Sequence, residues 1–277
     1  MHDLSSIHNP SFEQLSFMDR DLQFSKVTND NPSFLSEKQI ASFNKDGYLM
    51  PFRGLSISDI CELRGYFDRI LEEVSSRGES SYSINTAHLK YPRIYDLMHN
   101  INIISPVKDL LGDDIVAWGA HFFCKMPHDG MRVPWHQDCI YWPLTPTKTV
   151  TVWLAVDDVD SSNAPMKFIP KSHLKGKLEF QELDKSREKA VLGLEASCPE
   201  LKTSGAVEVH LKAGEFSIHN DLLLHGSEPN TSQKRRCGLT LRYASTSVKP
   251  EFGWARKGVV VSGVDSFGHW ENLPRPK

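Results

Sequence analysis

No stretch of the 277-residue chain approaches the run of about 18 apolar residues that a membrane-spanning helix requires, so no membrane partner is expected. Positive charge is never concentrated either. The 32 Lys and Arg face 35 Asp and Glu, the formal net charge is −3, and no basic run is present to grip a phosphate backbone, which argues against nucleic acid. Cysteine is scarce and scattered: Cys61, Cys124, Cys139, Cys198 and Cys237 are odd in number and contain no C-x-x-C pair. Neither a disulfide framework nor a thiolate zinc site is expected. The opening MHDLSSIHNPSFEQ has neither the basic nor the apolar region of a secretory leader. Together these absences predict a protein of the reducing cytoplasm. What is present is a hydrophobic fraction of 39%, enough for a real core, in a length that suits one all-β barrel with insertions.

Residues 1–36 are polar, aperiodic and rich in Asn and Ser, an arm that either lies over the body or moves freely. Residues 37–277 read as a single domain. Ser36 precedes a short helix carrying Ile40 and Phe43 that stops at Lys45-Asp46-Gly47. A longer helix is predicted from Ser58, taken as its N-cap, to Ser76, with Leu63, Phe67, Ile70, Leu71 and Val74 as its apolar stripe. A third fits 103–111. From about residue 114 the period falls to two, and 115–125, 133–140, 149–156, 207–211, 215–219 and 237–243 read as strands. Helices first and many short strands after predict a mainly β (α+β) barrel or sandwich with helices packed outside. A polar insertion at about 172–203 contains QELDKSREKAVL, read as one helix that is either a solvated face or a lid over the barrel mouth.

VPWHQDCIYW holds His136 and Asp138 two apart, which on a strand puts both side chains on one face. With 12 histidines and 35 acids in 277 residues, chance supplies such a pair about once or twice, and His219 with Asp221 is a second. The pair alone therefore decides nothing. Far downstream, LLLHGSEPNTSQKRRCGLTLRY offers His225 after an apolar stretch, then a polar turn, then Arg236 at the start of a returning strand. Two imidazoles and one carboxylate make the facial triad of non-haem iron(II) oxygenases, and an arginine fork suits the far carboxylate of an oxoacid. His219/Asp221 fits less well, having no distant third ligand followed by an arginine.

These pieces resemble the phytanoyl-CoA dioxygenase family: WHQD at 135–138, VTVWLAVDDVD at 150–160, FIPKSH at 168–173, and HGSEPN with its following arginine at 225–236. The resemblance covers about 112–243 and, more loosely, the 36–48 helix. It implies a double-stranded β-helix, or jelly roll, and a hydroxylase that consumes dioxygen and converts 2-oxoglutarate to succinate, with ascorbate helpful in vitro. It further implies His136, Asp138 and His225 as Fe(II) ligands, Arg236 and Ser227 as contacts to 2-oxoglutarate, and Trp153 as an aromatic wall beside it. Lys171 departs from the family's usual glycine before Ser-His, which implies an altered turn. The carboxylate at 138 implies hydroxylation, since related halogenases carry a small residue there.

Side-chain alternation extends the pocket. Thr149, Thr151 and Trp153 share the face assigned to the lumen, and His121 is placed beside the cofactor or, equally, as a satisfied core histidine. Arg132 shares parity with His136, Arg242 with Arg236, and both read as substrate contacts or as structural ion-pair partners. Tyr141 reads as a pocket wall or a core aromatic, and Asn85, His88 and Arg93 as a polar group over the mouth or a solvated loop. His173 reads as a turn cap and His219 as a support for the ligands. The cationic and hydrogen-bonding lumen predicts a small polar substrate, an aminophosphonate such as 2-aminoethylphosphonate among the candidates. The competing readings are a cupin-like metal enzyme that does not use 2-oxoglutarate and a non-catalytic barrel that only binds. Nothing in the pattern fixes an oligomeric state.

Overall fold

The computed structural model describes residues 7–184, 187–197 and 205–277. In chain order the helices are α1 (Phe12–Ser16), α2 (Glu37–Asp46), α3 (Ile57–Ser76), α4 (Pro92–Leu97) and α5 (Ile101–Leu111). The first strands are β1 (Tyr48–Arg53), β2 (Ile115–Lys125), β3 (Val133–His136), β4 (Leu144–Thr145), β5 (Thr149–Ala155), β6 (Lys167–Phe168) and β7 (Phe180–Glu182). Then come β8 (Leu194–Ala196), β9 (Val207–Glu208), β10 (Glu215–Asn220), β11 (His225–Ser227), β12 (Arg236–Ser245), β13 (Lys249–Pro250) and β14 (Val259–Ser262).

Two antiparallel sheets carry the architecture. One has the order β1-β10-β5-β12-β2-β14, the other β3-β11-β6-β9. Side chains from both line a single cavity, so the sheets face each other across a lumen in the jelly-roll manner. Alternation along β5 splits the residues as the sequence predicts. Val150, Val152 and Leu154 join the main core, where α3 and α5 pack, while Thr151 and Trp153 face the lumen.

The helix ends follow from local chemistry. Ser36 and Gln39 form a reciprocal capping box, and Gly47 closes α2 in the left-handed conformation at φ 86°. For α3 the cap is Ser56, whose Oγ accepts from the Asp59 amide at 3.1 Å; Ser58 is exposed within the first turn, which corrects the predicted cap by two residues.

Two further expectations are corrected. The predicted strand 133–140 ends at His136, because Gln137 turns inward. Its Nε2 donates to Gly176 O (2.9 Å) and Leu222 O (2.6 Å), its Oε1 accepts from the Leu178 amide (2.9 Å), and a 3-10 turn follows over Asp138–Tyr141. In the insertion, no α-helix occurs among the described residues; β7 and β8 pair as a hairpin. Phe180 and Ala196 pack with Trp135 against Ile169, Leu178 and Leu224, an apolar contact that a solvated helix here would forgo. Residues 185–186 and 198–203 of that insertion lie outside the described residues.

Between residues 7 and 35 the arm lies along the body. The Asp109 carboxylate accepts the amides of Ser33, Phe34 and Leu35 at 2.6–2.9 Å, and Arg20 donates to the carbonyls of Cys139 (2.9 Å) and Trp142 (2.8 Å). No helix among the described residues is long and apolar enough to cross a membrane.

Candidate active site

His136 ends β3 and faces His225, which begins β11, in direct register. Their ring centroids are 4.1 Å apart. Asp138 reaches the same point from the first residue of the 3-10 turn, and one ligand atom from each of the three lies within 4.8 Å of the others. All three residues are buried. Each histidine uses Nδ1 to donate to a carbonyl two residues back, His136 to Pro134 O (2.8 Å) and His225 to Leu223 O (2.9 Å). A carbonyl only accepts, so the proton sits on Nδ1 and each Nε2 lone pair is left free to bind a metal. Thr151 Oγ1 donates to Asp138 Oδ2 at 2.8 Å and fixes the carboxylate.

The electrostatics suit a cation. Burial pulls both histidines below the usual imidazole range and keeps them neutral. Burial alone would raise Asp138, but His219 and Arg242 beside it carry it below the usual carboxylate range and keep it charged. The donor set therefore fits iron(II): two neutral imidazoles and one carboxylate, prearranged and dry.

Arg236 begins β12 and is 2% exposed. It donates to Ser227 Oγ (3.1 Å) and Ala164 O (3.1 Å), and its guanidinium lies 5.6 Å from the centre of the Trp153 ring. No carboxylate lies within 4 Å of it among the described residues, so its charge is available to an acid. Gly238 makes room for the aromatic wall, since a Cβ there would stand 1.9 Å from Trp153 Cζ2. Lys125, opposite Arg236 in register and fully buried, donates to Met131 O (2.8 Å) and Glu228 O, pinning the turn that carries Ser227. Burial and the neighbouring Arg236 push this lysine down to about 7. Its place as the antiparallel partner of Arg236 is the sequence signal that would have drawn attention to it.

His219 lines the cavity too. Its Nε2 is 3.6 Å from Asp138 Oδ2, its ring is 4.7 Å from that of His225, and neither ring nitrogen has a hydrogen-bond partner. Its partner in the second H-x-D pair, Asp221, is buried outside the cavity, where burial pushes its carboxyl up to about 7. Arg242 also lines the cavity, with Trp118 and Trp142 under its guanidinium.

Other predicted pocket residues do not reach it. Arg132 turns away from the lumen and pairs with Glu195 (2.5 Å) and Glu188, two carboxylates within its reach that tie the β7–β8 insertion to β3. Arg93 pairs with exposed Glu62 at 2.9 Å. Asn85 is exposed and accepts from Thr86. His88 is fully buried, donating Nε2–H to Lys257 O at 2.9 Å. His121 bonds Tyr82 O at 2.8 Å, and the cavity wall at this strand is its neighbour Phe123, whose ring packs tilted against it. Tyr141 donates to Leu194 O and faces a separate cleft beside Phe12 and Leu15, its ring 6.0 Å from that of His136. His173 is buried in a 3-10 turn and bonds Asn44 O at 3.2 Å. Lys171, before that turn, adopts φ 69°, the left-handed backbone that a glycine takes without strain.

A family model described as phytanoyl-CoA dioxygenase (PhyH) matches residues 43–238. Among curated proteins, a probable alpha-ketoglutarate-dependent hypophosphite dioxygenase of Stutzerimonas stutzeri is 28% identical over 69% of this chain and 68% of its own length. An L-proline trans-4-hydroxylase of Streptomyces griseoviridis is 25% identical over 81% of this chain and 94% of its own. Among solved structures, the non-heme monooxygenase ThoJ superposes with a TM-score of 0.74 at 26% identity, covering 86% of this chain and 88% of that one. EctD from S. alaskensis, solved with 2-oxoglutarate and 5-hydroxyectoine, reaches a TM-score of 0.67 at 20% identity over 84% and 85% of the two chains, a likeness of fold.

Proposed function

The chain belongs to the phytanoyl-CoA dioxygenase family, and from that premise we propose that it hydroxylates an unactivated carbon of a small polar metabolite, an aminophosphonate such as 2-aminoethylphosphonate being the leading candidate. It is a 2-oxoglutarate-dependent dioxygenase that works with iron(II). The reading of its site rests on one observation: His136, Asp138 and His225 converge within 4.8 Å with a buried, carboxylate-free Arg236 in the same cavity. A similarity to a hypophosphite dioxygenase favours phosphorus oxyanions as substrates.

When bound, iron and 2-oxoglutarate supply the oxidising chemistry, dioxygen being consumed, carbon dioxide and succinate released and a C–H bond hydroxylated. The protein's part is placement. His136 and His225 present Nε2 because their Nδ1 protons are spent on Pro134 and Leu223. Thr151 holds Asp138, whose occupation of the third position leaves no place for a halide and favours hydroxylation. Arg236 and Ser227 take the far carboxylate of 2-oxoglutarate, with Trp153 flanking it. Phe123, Val133 and Met166 keep water from the reacting carbon.

The test is succinate release with iron(II), ascorbate and a panel of small polar metabolites that includes 2-aminoethylphosphonate. A panel member should stimulate turnover, and Asp138→Ala should bring it to background while leaving the melting transition intact. Undiminished turnover in that variant refutes the ligand assignment; stimulation only by compounds without a phosphonate refutes the substrate.

A further inference from the structure

The charges of the cavity balance only in part. Two positive charges on iron and one on Arg236 match Asp138 and the two carboxylates of 2-oxoglutarate. Arg242 remains. It shares the lumen face of β12 with Arg236, six residues on and so about 20 Å along the strand, and it lies across from Thr151, the residue that holds Asp138. Its Nε is buried without a hydrogen-bond partner, and among the described residues no carboxylate comes within 4 Å of its guanidinium. What it has is aromatic: the Trp142 ring at 5.2 Å and the Trp118 ring at 5.8 Å.

A second cation shares this corner. Lys257 is 8% exposed, stands 3.2 Å from the centre of the Trp254 ring, and likewise has no carboxylate in reach among the described residues. Trp254 packs tilted beside Trp118, their ring centres 5.4 Å apart. The nearby His88 is fully buried and uncharged, so it supplies no compensation. Burial and the charge of Arg242 depress Lys257 to about 7, as expected where two cations lie near each other away from bulk water. A half-buried Arg242 and a buried Lys257 on an aromatic floor are costly without an anion and become favourable once a double negative charge arrives.

We propose that Arg242 and Lys257, seated on Trp118, Trp142 and Trp254, form an oxyanion receptor that takes a dianionic phosphonate head of the substrate and holds its carbon chain toward the metal position. This deepens the hydroxylase reading and rests on it for the word substrate; the receptor itself stands on the cations. A monocarboxylate satisfies only one of the two charges and binds more weakly.

The experiment titrates methylphosphonate, acetate and the uncharged dimethyl methylphosphonate into the full chain, loaded anaerobically with iron(II) and 2-oxoglutarate so that Arg236 is occupied. Tryptophan fluorescence reads the receptor, and the visible band of the iron–oxoglutarate complex is recorded in parallel. Methylphosphonate should saturate the signal at least tenfold more tightly than acetate, and the neutral ester should not saturate it. Arg242→Gln and Lys257→Met should each weaken methylphosphonate at least tenfold, Lys257→Met with the visible band unchanged, and Arg242→Lys should recover most of the loss. If Arg242→Gln fails to fold, Lys257→Met and Arg242→Lys still decide the matter. Equal affinity for phosphonate and neutral ester, or affinity unchanged in the folded variants, overturns the receptor. A missing visible band alongside Arg242-dependent phosphonate binding overturns the oxygenase reading and leaves the receptor standing.

Discussion

Burial sets what each histidine of this chain can do. His88 is the clearest case outside the cavity, fully buried with Nδ1 facing no partner. Burial draws it down to about 4, against an ordinary value of 6.5, with the bond to Lys257 O opposing and the charges of Lys257 and Arg242 assisting. Between pH 6.5 and 4 the unfolded chain takes up a proton that the folded chain refuses. Its contribution to stability is thus complete above pH 6.5 and is lost as the pH falls toward 4, by up to about 3 kcal/mol. Denaturant titrations at pH 7 and 4.5 should show a smaller acid loss for His88→Gln than for the parent chain; an identical loss would mean that the buried imidazole is not what acid attacks. The same residue scale limits what a sequence reveals. His136/Asp138 and His219/Asp221 have identical spacing, and the pairs by themselves do not tell which is the ligand pair; the downstream His225 and Arg236 favour the first, and the structure shows why: the first pair shares a cavity with His225, whereas the second sends its histidine inward and its carboxylate elsewhere.

At the scale of elements, periodicity located most of the fold because it reports burial directly. β2 occupies the predicted 115–125, and β5 starts at the predicted Thr149. Periodicity failed where a polar side chain takes over the backbone's work. Gln137 ends β3 by bonding three backbone groups from two other segments, and no local pattern announces such partners. The cap of α3 was misplaced for a related reason, two serines both fitting the N-cap preference. Their energetics should separate them: Ser56→Ala loses the bond to the Asp59 amide and should cost about 1 kcal/mol in a denaturant titration, whereas Ser58→Ala, exposed on the first turn, should change little. Equal costs would contradict the capping geometry. The β7–β8 hairpin gives a second prediction. Arg132 ties it down through Glu188 and Glu195, so Arg132→Met should speed proteolysis within 180–196 severalfold without lowering the melting temperature by more than a few degrees. Unchanged cleavage would show that the apolar face of the hairpin suffices to hold it.

Across the whole molecule, the metal position depends on parts far from it in sequence. Asp138 stands at the head of a short 3-10 turn, and short turns of this kind have little stability of their own. The turn is clasped instead from outside: Arg20 bonds the carbonyls of Cys139 and Trp142, and Leu22 packs with Cys139 and Leu222 beneath it. Composition marked residues 1–36 only as polar and aperiodic, because an arm that binds through backbone carbonyls and a lone arginine leaves no period to read. Its consequence is long-range. Each guanidinium–carbonyl bond contributes about 1.5–3 kcal/mol where it is shielded from water, and Arg20 is about half-buried against the turn. Arg20→Met should therefore let the turn sample other positions and weaken binding of manganese(II), a spectroscopic substitute for iron, on the order of tenfold, equivalent to 1.4 kcal/mol. Arg132→Met, which loosens the other side of the same strand without touching the turn, should leave manganese affinity within about twofold, less than 0.5 kcal/mol. If the two variants weaken the metal equally, general loosening of the barrel accounts for the loss; if Arg20→Met has no effect, the arm has no part in holding Asp138.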